Sequence, residues 1–136
     1  MENTVLDAFS GGLFAVTLIA SDLPASIDFY GGKIGLVQVY SDEVSAVYKC
    51  GQTMINLLAA SAAAELVAPA SVATGGIDTG VGAVYTLRVA SVDAVVEVLT
   101  AAGVKLLNGP MDRPWGIRTA SFADPSGHVW EIADHH

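Results

Sequence analysis

The sequence predicts an α+β fold made of two tandem βαβββ units, and three observations carry that expectation. Thr17-Leu18-Ile19-Ala20-Ser21-Asp22-Leu23 lies over Thr86-Leu87-Arg88-Val89-Ala90-Ser91-Val92 at a constant offset of 69. Each copy then runs through a short helical pattern into a glycine and a hydrophobic residue, Gly35-Leu36 in the first and Gly103-Val104 in the second, followed by β-rich runs. At 136 residues the chain fits a single domain of ordinary size. A repeat of this size is a supersecondary unit that cannot bury its apolar face alone, so the two units must pack on each other. They span residues 13–60 and 83–134, with a connection at 61–82.

Taken in order, residues 1–12 read as an arm or frayed end, and residues 13–20 are apolar and β-branched, as in a strand. Asp22 before Leu23-Pro24 is a helix start: its carboxylate can accept orphan backbone N–H groups, and proline in the first turn lacks a donor that would go unsatisfied. Leu23, Ile27 and Tyr30 follow at helical spacing, and Gly31-Gly32 is expected to stop the helix. Three strands are expected at 36–41, 44–50 and 53–58, separated by turns at Asp42-Glu43 and Gly51-Gln52. Residues 61–82 are Ala-rich and then Gly-rich, a connection with room for one short helix. The second unit repeats the order: a strand at 83–89, Ser91 as N-cap, and a helix with Val92, Val95, Val96 and Leu99 on one stripe that ends at Gly103. Strands are expected at 104–107, near 117–122, and at 129–133. Asp124-Pro125-Ser126-Gly127 is a turn with proline at its second position and glycine where a left-handed backbone is needed.

Hydrophobic residues make up 52% of the chain and charged residues only 15%. No apolar run approaches the roughly 20 residues of a membrane span, so a membrane role is not expected and the surplus belongs in a core, a ligand pocket or a homodimer interface. The net charge is −8, and the six basic residues are scattered. That excludes a concentrated basic surface for nucleic acid, and it fits either simple solubility or attraction of a cationic ligand. Cys50 is the only cysteine, so no internal disulfide can form and a reducing cytoplasm suits the chain.

Val16-Thr17-Leu18 ahead of the Asp22-Leu23 helix start, together with the closing Phe122-Ala123-Asp124-Pro125-Ser126-Gly127-His128-Val129-Trp130-Glu131-Ile132, resembles the vicinal oxygen chelate superfamily. That superfamily includes glyoxalase I, fosfomycin-resistance enzymes, methylmalonyl-CoA epimerase, extradiol dioxygenases and bleomycin-resistance proteins. The resemblance implies that each unit curls into a half-open mixed sheet and that the sheets surround a cleft. It also implies that metal ligands, where present, stand on the first and last strands of each unit, which here fall on Ala15, Asn56, Val84 and Glu131. Only Glu131 matches.

Ala15 and Val84 carry no donor atom and the Asn56 amide is a weak one, so neither a metal nor another cofactor is expected. His128 reads as a solvated loop histidine, and His135-His136 as a tail. Glu131 shares a strand face with Val129 and Ala133, opposite Trp130 and Ile132. Its carboxylate would be met by Arg88, by a ligand, or by solvent at the sheet rim. Trp115 stands in Pro114-Trp115-Gly116, a tripeptide that in the resembled bleomycin-resistance proteins precedes an Asp-Pro turn. Its ring is suited either to stacking on a flat or cationic ligand or to closing a subunit interface. Tyr40 and Tyr48 could turn polar tips toward a groove, Met54 shares a face with Asn56, and Arg118 could meet an anionic group. No catalytic residue emerges: no Ser-His-Asp or Cys-His arrangement is readable, and the glycines form no phosphate loop.

The leading expectation is a cytoplasmic homodimer that sequesters a small amphipathic natural product or antibiotic, cationic or aromatic, without a metal. The resemblance places such a protein nearest the metal-free bleomycin-resistance type, with Tyr40, Tyr48, Met54, Asn56, Arg88, Trp115, Arg118 and Glu131 as ligand contacts. The alternatives are a lyase, isomerase or dioxygenase related to glyoxalase I with Glu131 as general base, and a partner-binding regulatory domain.

Overall fold

The computed structural model describes residues 8–135, so most of the expected N-terminal arm, and His136, lie outside the described residues. The first unit consists of β1 (Ala15–Ala20), α1 (Leu23–Ile27), β2 (Val37–Ser41), β3 (Ser45–Cys50) and β4 (Thr53–Ala59). The second consists of β5 (Val84–Arg88), α3 (Val92–Ala101), β6 (Leu106–Asp112), β7 (Ile117–Ala123) and β8 (Val129–His135), after a connecting helix α2 (Ala60–Val67) and one 3₁₀ turn (Gly76–Thr79). Each unit is a four-stranded mixed sheet, ordered β1-β4-β3-β2 in the first and β5-β8-β7-β6 in the second. The first strand pairs parallel with the last in both, and the remaining pairs are antiparallel. No helix among the described residues is long and apolar enough to cross a membrane.

Both helix starts form as their capping residues dictate. Asp22 is extended at φ −136° and accepts from the Ala25 amide at 3.0 Å. Ser91, also extended at φ −146°, accepts from the Ala94 amide at 3.1 Å. Replacing Ser91 with Ala is expected to lower stability by about 1 kcal/mol, measured by urea denaturation with unchanged slope. The Gly31-Gly32 pair does not stop the first helix. The chain continues through a wider π turn over Asp28–Lys33, closed by Ile34 N–H to the Phe29 carbonyl at 2.9 Å, and leaves it at Gly35 with φ +83°. The glycine at 31 instead serves packing, since a Cβ there would stand 3.3 Å from the Tyr48 ring.

In the second unit, β6 runs to Asp112, well beyond the expected end at 107, because two register shifts around Asn108, Gly109 and Pro110 keep it on β7. Bulges of this kind let a strand tolerate proline, which cannot donate to the ladder.

The core lies between the units. Leu18, Tyr48, Ile55 and Leu57 from the first sheet cluster with Ala120, Phe122, Trp130 and Ile132 from the second and with Val92 and Leu99 of α3. At its centre Tyr30 crosses from the first unit to the second: its hydroxyl donates to Asp124 Oδ2 at 2.6 Å and accepts from Trp130 Nε1 at 2.8 Å. Asp124 Oδ1 accepts from the Ser126 and His128 amides, each at 2.9 Å. Burial, and then the neighbouring Asp124 carboxylate, push the Tyr30 phenol far above its ordinary range, so it remains a donor. His128 is not the solvated loop residue expected of it. It is half-buried, and its Nε2 donates to the Ile19 carbonyl at 2.8 Å, a second tie between the units.

Candidate functional site

Because side chains alternate along a strand, the residues between the core positions lie on the reverse face of each sheet, away from the shared core. Following the register across the first sheet, one rung of that face reads Tyr40, Val47, Asn56 and Thr17. The corresponding rung of the second reads Asn108, Ser121, Glu131 and Thr86. The two threonines are the pair related by the offset of 69, and each bonds its neighbour: Asn56 Nδ2 donates to Thr17 Oγ1 at 3.3 Å, and Thr86 Oγ1 donates to Glu131 Oε1 at 3.0 Å. Ser121 in turn donates to Asn108 Oδ1 at 3.0 Å. On the first sheet α2 walls a groove of about 230 Å³ over Thr17, Val47 and Asn56, with Leu66 as its far side.

The other two metal-ligand positions implied by the fold sit one rung along. Ala15 is opposite Met54 and Val84 is opposite Val129, all without a charged or imidazole donor. Asn56 and Glu131 are each engaged by a threonine, and among the described residues no three His, Cys, Asp or Glu side chains come together to hold an ion. A divalent cation that needs three or four such donors does not fit this set.

Five of the expected ligand contacts lie on these reverse faces, though not all as anticipated. Asn56, Met54 and Glu131 are placed as alternation requires. Tyr40 is on the first rung, but its hydroxyl turns back to Asp42 at 2.8 Å. Arg88 shares the face of Glu131 without pairing with it; its Nη2 donates to His135 Nε2 at 3.0 Å, and His135 is the last residue of β8, not part of a loose tail.

Two expected contacts are elsewhere. Tyr48 points into the core at 1% exposure, its hydroxyl 3.1 Å from Gln38 Oε1, because β3 places Ala46 and Tyr48 inward and Ser45, Val47 and Lys49 outward. Arg118 lies on the helix side of β7, held by Asp93 of α3 at 3.0 Å and Asp112 at 3.1 Å. Its place on the open face is taken by Arg113, whose Nε donates to Thr119 Oγ1 at 2.9 Å and whose Nη2 donates to Asn108 Oδ1 at 3.4 Å. Trp115 stands on the turn that follows, 67% exposed, with the Arg113 guanidinium carbon 5.9 Å from its ring centroid. Burial raises the Cys50 thiol from its ordinary value, the opposite of what a nucleophile requires.

Sequence reasoning does not single out Thr17, Ser121, Asn108 or Arg113, while alternation puts Thr86 on the face of Val84 and Arg88 without giving it a role. The internal repeat aligns the two threonines, so a signal for them is present in the chain. Nothing comparable marks Asn108 or Arg113, whose positions depend on the bulged pairing of β6 with β7.

Comparison with known proteins accords with this architecture. Residues 12–132 match the family model described as the Glyoxalase/Bleomycin resistance protein/Dioxygenase superfamily. No curated protein matches the chain. Among solved structures, a glyoxalase-related enzyme from Fulvimarina pelagi is 28% identical, with 91% of this chain and 88% of that one covered and a TM-score of 0.78. A glyoxalase/bleomycin resistance protein/dioxygenase from Nocardioides is 24% identical over 91% and 83% of the two chains, with a TM-score of 0.77. Lactoylglutathione lyase from Agrobacterium tumefaciens is 21% identical over 90% and 92%, with a TM-score of 0.73. The last two likenesses establish the shared fold alone.

Proposed function

Starting from a chain that belongs to the Glyoxalase/Bleomycin resistance protein/Dioxygenase superfamily, we propose that it is a metal-independent protein that binds and sequesters a small amphipathic molecule on the open faces of its two sheets. The observation that carries this reading is the pair of matching rungs, hydrogen-bonded Thr17 with Asn56 and Thr86 with Glu131, standing beside hydrocarbon at the other two metal-ligand positions, Ala15 and Val84. Polar groups on rigid strands flanked by apolar side chains are the usual make-up of a small-molecule site. Glu131 would take a hydrogen-bond donor or cationic group of the ligand, and Trp115 would stack on its flat part.

The chain also presents Leu13, Phe14, Val37, Val39 and Val84 to solvent, apolar surface that a second copy of the chain would cover. In the proposed assembly a homodimer encloses each face, so that the ligand is held in a cleft rather than on a surface.

Intrinsic fluorescence tests the binding reading directly, since Trp130 is buried and Trp115 is exposed. A ligand drawn from a library of planar natural products is expected to quench the wild-type emission, and Trp115→Phe is expected to remove most of that quenching while weakening binding by roughly tenfold, about 1.4 kcal/mol. Failure of every compound to bind would count against sequestration, and turnover of a bound compound would replace it with catalysis.

A further inference from the structure

Next to the Glu131 rung lies another, which reads Arg88, Ala133, Thr119 and Met111 across β5, β8, β7 and β6. The small side chain of Ala133 therefore stands between Arg88 and Thr119, the residue that holds Arg113. On the one side Arg88 is tied to His135, and on the other Arg113 lies on Thr119. Among the described residues the only ion pairs are those of Arg118, which gathers two carboxylates on the opposite face of the sheet. Among the described residues neither Arg88 nor Arg113 has a carboxylate partner, although the chain carries 14 acidic residues against six basic ones. The hydrogen bonds to Thr119 and Asn108, and the contact with Trp115, fix the Arg113 fork in advance of any ligand. A preorganised guanidinium left without a carboxylate is the arrangement that recognises one from outside.

We propose that Arg88 and Arg113 form an anion subsite over Ala133, and that the molecule sequestered is an aromatic or heteroaromatic carboxylate whose ring stacks on Trp115. This rests on the reading of the open face as the ligand site and names the chemical class that site takes. Strands β5, which carries Arg88, and β7, on which Thr119 holds Arg113, are two spacings apart, roughly 10 Å, and one carboxylate between them would take the N–H groups that these bonds leave free. Glu131 lies two residues along β8 from Ala133, about 7 Å away, and would receive an amino or hydroxyl group at the far end of the same molecule. A zwitterionic or hydroxylated aromatic acid has that spacing of groups.

The test uses three matched probes on the full chain, 2-naphthoate, 2-naphthamide and 2-naphthylmethylammonium, titrated against tryptophan fluorescence in the wild type, Arg88→Gln, Arg113→Gln and the double variant. The wild type is expected to bind naphthoate at least about tenfold more tightly than naphthamide, and each single variant to lose most of that preference with the naphthamide affinity within about twofold. Arg113→Lys keeps the charge but not the fork and is expected to fall between. A carboxylate preference that is absent in the wild type, or that survives in the double variant, overturns the subsite. Binding of the amide or ammonium without such a preference leaves sequestration standing and removes only this inference. A protein that binds none of the three loses both.

Discussion

Asp124→Ala is expected to lower stability by about 3–5 kcal/mol, enough to leave a domain of this size marginal. Asp124 is 6% exposed, and its two oxygens receive the Tyr30 hydroxyl and the Ser126 and His128 amides. Removing the carboxylate strands three donors, two of them backbone, and frees the Tyr30 hydroxyl that Trp130 Nε1 donates to. An unpaired buried donor costs about 1–3 kcal/mol, the Tyr30 hydroxyl toward the upper end and the part-buried Ser126 and His128 amides toward the lower, and the three losses add. Tyr30→Phe, which removes the hydroxyl and leaves the turn intact, is expected to cost less, about 1–3 kcal/mol. Guanidinium unfolding followed by circular dichroism measures both; equal stability of Asp124→Ala and the wild type would refute the role assigned to the network. The Asp-Pro-Ser-Gly-His-Val-Trp stretch, the most distinctive run in the chain, is on this account a clamp between the two units, and Glu131 just after it lies on the open face of the second sheet.

Gly127→Ala is expected to cost about 2–4 kcal/mol, for two reasons that act together. The backbone at 127 is left-handed with φ +89°, where a Cβ is strained. The added atom would also collide with the Ile77 amide nitrogen and stand 2.7 Å from the Gly76 carbonyl carbon, both backbone, so the 3₁₀ turn of the connection must move as a body. The effect should therefore appear in two measurements: a lower unfolding midpoint, and faster hydrogen exchange at residues 76–80. A loss of stability with unchanged exchange there would point to conformational strain alone.

Much of the fold is legible in the chain itself. The offset of 69, the caps at Asp22 and Ser91, the stop at Gly103 and the inward Trp130 and Ile132 all follow from local chemistry or simple alternation. The departures are equally specific. Tyr48 reads as a groove residue in the sequence because β3 is apolar on both faces, Val47 outward and Tyr48 inward, so hydrophobicity does not fix its phase. Arg118 is offered by the sequence as a ligand contact and Arg113 is not, because the bulges at Asn108, Gly109 and Pro110, which shift which residues of the hairpin oppose one another, leave no local signal. Arg88 is one of the partners, with a ligand or solvent, that the sequence offers Glu131, but Thr86 is directly opposite that carboxylate and His135 is within reach of the arginine.

The sequence by itself determined the two-unit βαβββ plan, the placement of hydrocarbon at Ala15 and Val84, and the identity of the turn and cap residues, since each depends on neighbours within a few positions or on the repeat. Only the tertiary structure decided which polar groups share a rung, that Arg113 rather than Arg118 lies on the open face, and that Tyr30 joins the units through Asp124. Those are relations between strands remote in sequence, set by register, bulges and the sharing of one core, and a single shifted residue reverses the face that a side chain presents.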